Sequence, residues 1–140
     1  MRKKLIFVFG VILCISLVYA SFIIAVILRD KGNVSNVELH IGTSNRFTQE
    51  EIMSAMHVAI EDFSNKKGWN DELVSLEYNE THSNWRLELD NLDKELTIVI
   101  FADWYQGTGI GNERVLGPWA WILSRESSSG SWVVVSQGKM

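Results

Sequence analysis

The sequence predicts an α+β fold, with one amphipathic helix packed on a curved antiparallel sheet of about four strands and an N-terminal transmembrane helix ahead of them. Three observations carry this expectation. Residues 5–28 contain no charge. Apolar residues then recur at a helical period between Phe47 and Lys67. Beyond Leu73 the period falls to two in four separate runs, the alternation of half-buried strands. No long helix separates one strand run from the next, so a parallel α/β sheet is not expected.

The uncharged run is 24 residues long, preceded by Arg2-Lys3-Lys4 and followed by Arg29-Asp30-Lys31. At about 1.5 Å per residue it would measure roughly 36 Å as a helix, enough to cross a hydrocarbon core of about 30 Å. A cleaved secretory signal has an apolar stretch of about 7 to 15 residues, and cleavage after Ala20 would leave the apolar octapeptide 21–28 as a free N-terminus. The uncleaved anchor is therefore the expectation, with secretion as the outcome if Ala20 is a cleavage site. Cys14 lacks the small preceding residue of a lipoprotein site and reads as a thiol inside the span.

Three Lys and Arg precede the span and two follow closely, which favours a cytoplasmic N-terminus and an extracytoplasmic remainder. The expected organisation is a basic tail at 1–4, an anchor at 5–28, a linker at 29–46 and an α+β domain at 47–140. From Arg29 onward there are ten basic and seventeen acidic residues. Such a surface is a poor match for nucleic acid and argues against a face lying on anionic lipid. With Cys14 as the sole cysteine, no internal disulfide can form and the domain depends on its core.

The linker is rich in Asn, Ser and Gly, and the alternation of Val37, Leu39 and Ile41 allows it a short strand. Thr48-Gln49-Glu50-Glu51 reads as a capping box with Phe47 placed as a hydrophobic staple. Ile52, Met56, Ala59, Ile60 and Phe63 form one stripe of a helix over 48–66. Lys66-Lys67-Gly68 suits its end, with glycine available for a left-handed exit. Strands are expected at 73–78, with Val74, Leu76 and Tyr78 on one face, and at 96–105, 118–125 and 132–136. Glu126 to Ser131 reads as a hairpin loop. Residues 82–93 fit either pattern: Trp85, Leu87 and Leu89 alternate like a strand, whereas Trp85, Leu89 and Leu92 fit a helix.

The segments FTQEEIMSAMHVAIEDF, WAWILSRE and GSWVVVSQG resemble small secreted or membrane-anchored domains of unknown function from Gram-positive bacteria, and the cystatin-like and NTF2-like α+β classes. The resemblance covers about Phe47 to Gly138. It implies a sheet curled around a helix, and, for the NTF2-like class, a cone with a pocket that some members use as an active site. One clear helix matches the open cystatin-like sheet better than a deep cone.

No cofactor signature is present. Gly107-Thr108-Gly109-Ile110-Gly111 has the wrong spacing for a dinucleotide loop and reads as a hairpin connection. His57 and Glu61 share a helix face, but zinc needs at least three protein ligands and this face is the solvated one. No metal site is expected. Asp103, inside an apolar strand, and His82, near Glu77 and Glu80, are the residues to watch as acid and base, with Arg114 or Arg125 as a partner for Asp103. Asn33-Val34-Ser35 and Asn79-Glu80-Thr81 fit glycosylation acceptors. Trp104, Tyr105, Trp119, Trp121 and Trp132 crowd the C-terminal hairpins, either as sheet core or as a groove for a peptide, a glycan or an envelope protein. The expected function is a membrane-tethered, non-enzymatic binding domain. The alternative is an NTF2-like cavity enzyme using Asp103.

Overall fold

The computed structural model describes residues 14–24, 31–68, 70–107, 112–114 and 119–139. Its fold is α+β, with a mixed sheet and three helical segments. In chain order these are α1 (residues 14–24), β1 (Glu38–Ile41), α2 (Gln49–Lys66), β2 (Glu72–Tyr78), α3 (Glu80–Leu89), β3 (Thr97–Gly107), β4 (Asn112–Arg114), β5 (Trp119–Ser124) and β6 (Val133–Lys139). Every residue of α1 is exposed. Among the described residues no helix is long and apolar enough to cross a membrane, and the rest of the 5–28 run lies outside them.

The strand order is β1-β2-β3-β5-β6, with β4 pairing only with the last residues of β3. The expected all-antiparallel sheet of four strands is corrected in two ways. Among the described residues the sheet has six strands, and β1 lies parallel to β2, in register Glu38↔Ser75 to Ile41↔Tyr78. A parallel pair needs a crossover, and α2 supplies it. Part of the stretch read as a linker is thus the edge of the sheet.

α2 begins as its sequence dictates. Thr48 Oγ1 accepts from Glu51 N–H at 3.2 Å, while Thr48 N–H donates to Glu51 Oε2 at 2.8 Å, so two otherwise orphaned donors are satisfied reciprocally. Ile52, Ala55, Met56, Ala59 and Phe63 are buried against the sheet, and Ile60 is half-buried. The end of the helix differs from expectation. Lys67 is extended, with φ −99° and ψ 154°, and its N–H still donates to Phe63 O at 2.9 Å, so no left-handed glycine exit is used.

The face of the sheet under α2 carries Leu73, Leu76 and Tyr78 of β2, Ile98, Ile100, Ala102 and Trp104 of β3, and Trp121 and Leu123 of β5. A bulge between Leu73 and Ser75 shifts the alternation, which puts Leu73 rather than Val74 with Leu76 and Tyr78. The opposite face has its own smaller core, where Leu87 packs on Val99, Ala120 and Ile122. Residues 82–93 therefore resolve into α3 followed by a turn. Leu87 points inward, and Trp85 and Leu89 point out, 60% and 59% exposed. This second helix is the other departure from a sheet wrapped around one helix.

Candidate functional site

α3 covers only part of the sheet face away from α2. Asn79 caps it by accepting from His82 N–H at 3.2 Å, and Ser83 Oγ accepts the backbone N–H of Val99 at 3.2 Å. Val99 lies two residues past the last β2 pairing of β3, at Phe101, so a helix hydroxyl takes the place of the missing strand. The helix then lies over β3 and β5 and leaves the β1–β2 side of the face open.

Strand alternation decides what that open area presents. Leu39, Ile41, Leu76 and Tyr78 face α2, so their neighbours Glu38, His40, Ser75 and Glu77 face the other way. Two cross-strand rows result: Glu38, Ser75 and Asp103 in one, and His40, Glu77 and Phe101 in the next. His82 reaches over from α3 to meet the edge of the Phe101 ring, centroids 6.1 Å apart. Ser75, Glu77, His82, Phe101, Ala102 and Asp103 line a shallow recess of about 200 Å³. Glu77 also borders a larger open concavity of about 570 Å³ between the end of β1 and the start of α3. His40 Nε2 lies 3.5 Å from Glu38 Oε2, and both side chains are well exposed.

At the far rim the geometry is tighter. Ser44 Oγ and Asn45 N–H both donate to Glu80 Oε2, at 2.5 and 2.8 Å. The Ser44 hydroxyl bond leads the lowering of the Glu80 carboxyl below its usual range. Tyr78 shares this corner and is pushed up, chiefly by burial.

Asp103 and His82, singled out in the sequence, are thus brought to one recess. Asp103 is half-buried and His82 exposed. Arg125 is not near them: it is bonded to Glu51 on the α2 side, while its guanidinium lies 4.6 Å from the Trp132 ring centroid. The Thr48 backbone N–H first, and then the Arg125 guanidinium, hold the Glu51 carboxyl below its usual range. The Arg114 side chain lies outside the described residues, as do 108–111 of the glycine-rich connection; β3 and β4 pair antiparallel around it.

The tryptophans belong mainly to the core under α2. Trp104, Trp121 and Trp132 are buried, Trp119 and Tyr105 half-buried. Trp121 Nε1 donates to Asp62 Oδ2 at 2.9 Å and Trp132 Nε1 to Glu51 O at 3.1 Å, which ties the sheet to α2. Trp104 and Trp119 meet edge to face at 5.6 Å and hold Lys67 Nζ at 4.2 and 4.4 Å from their centroids. Burial pushes the Lys67 ammonium pKa down, against the opposing pull of Asp71 and Asp62.

His57 and Glu61 are both exposed, and among the described residues no group of three or more His, Cys, Asp or Glu could hold a metal. The Asn79 side chain is engaged as a cap, and Asn33 Oδ1 accepts from Ser35 N–H at 3.1 Å. Sequence reasoning overlooked Glu38, His40 and Ser75 as members of a common face. The available signal was their alternation with the apolar residues of β1 and β2. The missing knowledge was that these strands are neighbours.

Compared with known proteins, the chain matches no family model, no curated protein and no solved structure. The cystatin-like and NTF2-like resemblance accordingly rests on the quoted segments alone.

Proposed function

We propose that this protein is a membrane-tethered, extracytoplasmic binding domain whose open sheet face docks a cationic, extended segment of an envelope partner. The observation that carries the reading is the alignment of Glu38, Ser75 and Asp103 beside His40, Glu77 and Phe101 on sheet left uncovered by α3. Carboxylates repeated across strands match a cationic chain, and β1, as an edge strand, offers backbone pairing beside them. The 24-residue uncharged run and its basic flank support the tether and the orientation. The resemblance to an open cystatin-like sheet is consistent with action through the sheet rather than through a deep cavity.

The test is a titration of the detergent-solubilised full chain with a Lys-rich and a Glu-rich peptide of equal length. Saturable binding of the first, weakened by salt and by a Glu38→Gln/Glu77→Gln double change, supports the reading. Equal binding of both peptides, or none, refutes it.

A second reading has its own observation, since Asp103 and His82 share the recess of about 200 Å³. In it the domain is an NTF2-like enzyme in which this pair exchanges a proton with a small substrate. It requires that His82→Ala and Asp103→Asn each abolish a turnover that Glu38→Gln leaves intact.

A further inference from the structure

The chain meets the folded body almost as soon as it leaves the apolar run. Gly32 N–H donates to Ser64 O at 3.1 Å, Asn33 N–H to Asp71 O at 2.8 Å, and Leu73 N–H returns to Asn33 O at 3.0 Å. Asn33 also forms a parallel bridge with Glu72. Gly32 lies so near α2 that a Cβ there would stand 2.8 Å from Phe63 Cε1 and 3.1 Å from Lys67 Cβ. The uncharged run ends at Leu28. Four Cα steps separate Leu28 from Gly32, and four steps of fully extended chain reach at most about 14 Å. The stretch after the run cannot serve as a free spacer. Gly32 must lie within that reach of the end of the run, and it sits at the pole with the C-terminus of α2, the start of β2 and the facing ends of β3, β5 and β6.

The same pole collects cations that the acidic composition hides. Lys31 and Lys139 are exposed, and Lys66 and Lys67 close α2. Lys139 stands opposite Trp119 in the β5–β6 ladder, and Trp119 with Trp104 holds Lys67. Two of the acids beside them, Asp62 and Asp71, are turned to internal work, while Glu72 at the start of β2 is half-buried. Asp62 accepts from Trp121 and pairs with Lys66, while Asp71 accepts the backbone N–H groups of Gly68 and Gly107. Elsewhere among the described residues the cations are engaged within the body: Arg46 by Asn84 and Thr97 O, Arg86 by Asp90, Lys94 by Glu88 and Arg125 by Glu51.

We propose that this pole rests against the lipid headgroups of the membrane, with Lys31, Lys139 and the ring of Trp119 as its contact groups and lipid phosphates as the partners of the two lysines. The proposal rests on reading residues 5–28 as a membrane span. Lysine stems and indole rings suit the boundary between apolar and charged surroundings. The reach of about 14 Å is an upper limit and exceeds the Debye length of about 8 Å at physiological salt, so the lysines feel anionic phosphates where the connection is less than fully extended and their side chains point toward the surface. The opposite pole, with Ser44, Glu80 and the 126–130 loop, then points away from the bilayer.

The experiment uses the full chain with Cys14→Ser, reconstituted in vesicles of phosphatidylcholine and phosphatidylglycerol carrying a nitroxide on the headgroup. A fluorophore is placed at Lys139→Cys, at Lys31→Cys or, at the far pole, at Ser128→Cys. Flotation with the vesicles and quenching several-fold stronger at positions 31 and 139 than at 128 is the expected result. Flotation with equal quenching at all three positions overturns the membrane-facing pole and leaves the span reading intact. Failure to float overturns the span reading, and the proposal falls with it.

Discussion

Replacing Leu87 by Ala measures how firmly α3, and with it His82, is held over the sheet. The inward face of α3 consists of Ser83 and Leu87 alone, and Leu87 is fully buried against Val99, Ala120 and Ile122. The substitution removes three carbons from a dry site, worth about 0.8 kcal/mol each and so about 2.4 kcal/mol in transfer alone. A residual cavity adds to this. The cluster is small and is bordered by the half-buried Leu92 and Phe101, which can close in. The total should therefore stay near 3 kcal/mol, in the lower half of the usual 2–5 kcal/mol range. Leu76→Ala, in the larger core under α2, should cost more, about 4 kcal/mol. Urea unfolding followed by circular dichroism compares the two at constant m-value. Amide hydrogen exchange across 80–89 should also rise in Leu87→Ala while α2 stays protected. A Leu87→Ala cost below about 1 kcal/mol, or one matching Leu76→Ala, would refute the view that a single leucine docks the helix.

Ser83→Ala should cost about 1–3 kcal/mol in the same assay, because the buried N–H of Val99 loses its acceptor. Glu51 is held ionised by Thr48 N–H and Arg125. Its stabilisation is complete above the ordinary carboxylate value of 4.5 and is lost as pH falls through the lower folded value, so Glu51→Gln should flatten acid unfolding below that point. Gly32→Ala should lower stability by about 1–3 kcal/mol by driving a Cβ into the Phe63 ring, a cost that thermal unfolding would report. A long Gly-Ser insertion between Asp30 and Lys31 should release the domain from the bilayer, and headgroup quenching at position 139 should fall to the level at 128.

What the sequence disclosed and withheld follows from the range of the forces involved. The start of α2 is a local matter: Thr48 and Glu51 are three residues apart and bond each other, so the cap was legible. The four main strands were legible for a similar reason, since alternation reflects one buried face. The parallel partner of β1 was not, because Leu39 and Leu76 meet only through a crossover that no short pattern encodes. The ambiguity at 82–93 arises because α3 buries so little: its outward side carries Trp85 and Leu89 while Leu87 is its one buried apolar residue, which blurs the stripe that marks an ordinary surface helix. Asp103 and His82 were picked out individually by their odd settings. Their meeting in one recess depends on where α3 lands, and that landing follows from Leu87 packing on Val99, Ala120 and Ile122 and from Ser83 bonding Val99 sixteen residues away.

The parallel pairing of β1 has a consequence for how the molecule is made. Glu38 leaves the ribosome well before its ladder neighbour Ser75, and the whole of α2 must be synthesised between them. During that interval Leu39 and Ile41 have α2 to pack on but no strand to pair with. If translocation carries the polypeptide across a bilayer in the same order, the earliest strand to arrive is among the last to be seated, and chaperones or proteases waiting there would meet it first.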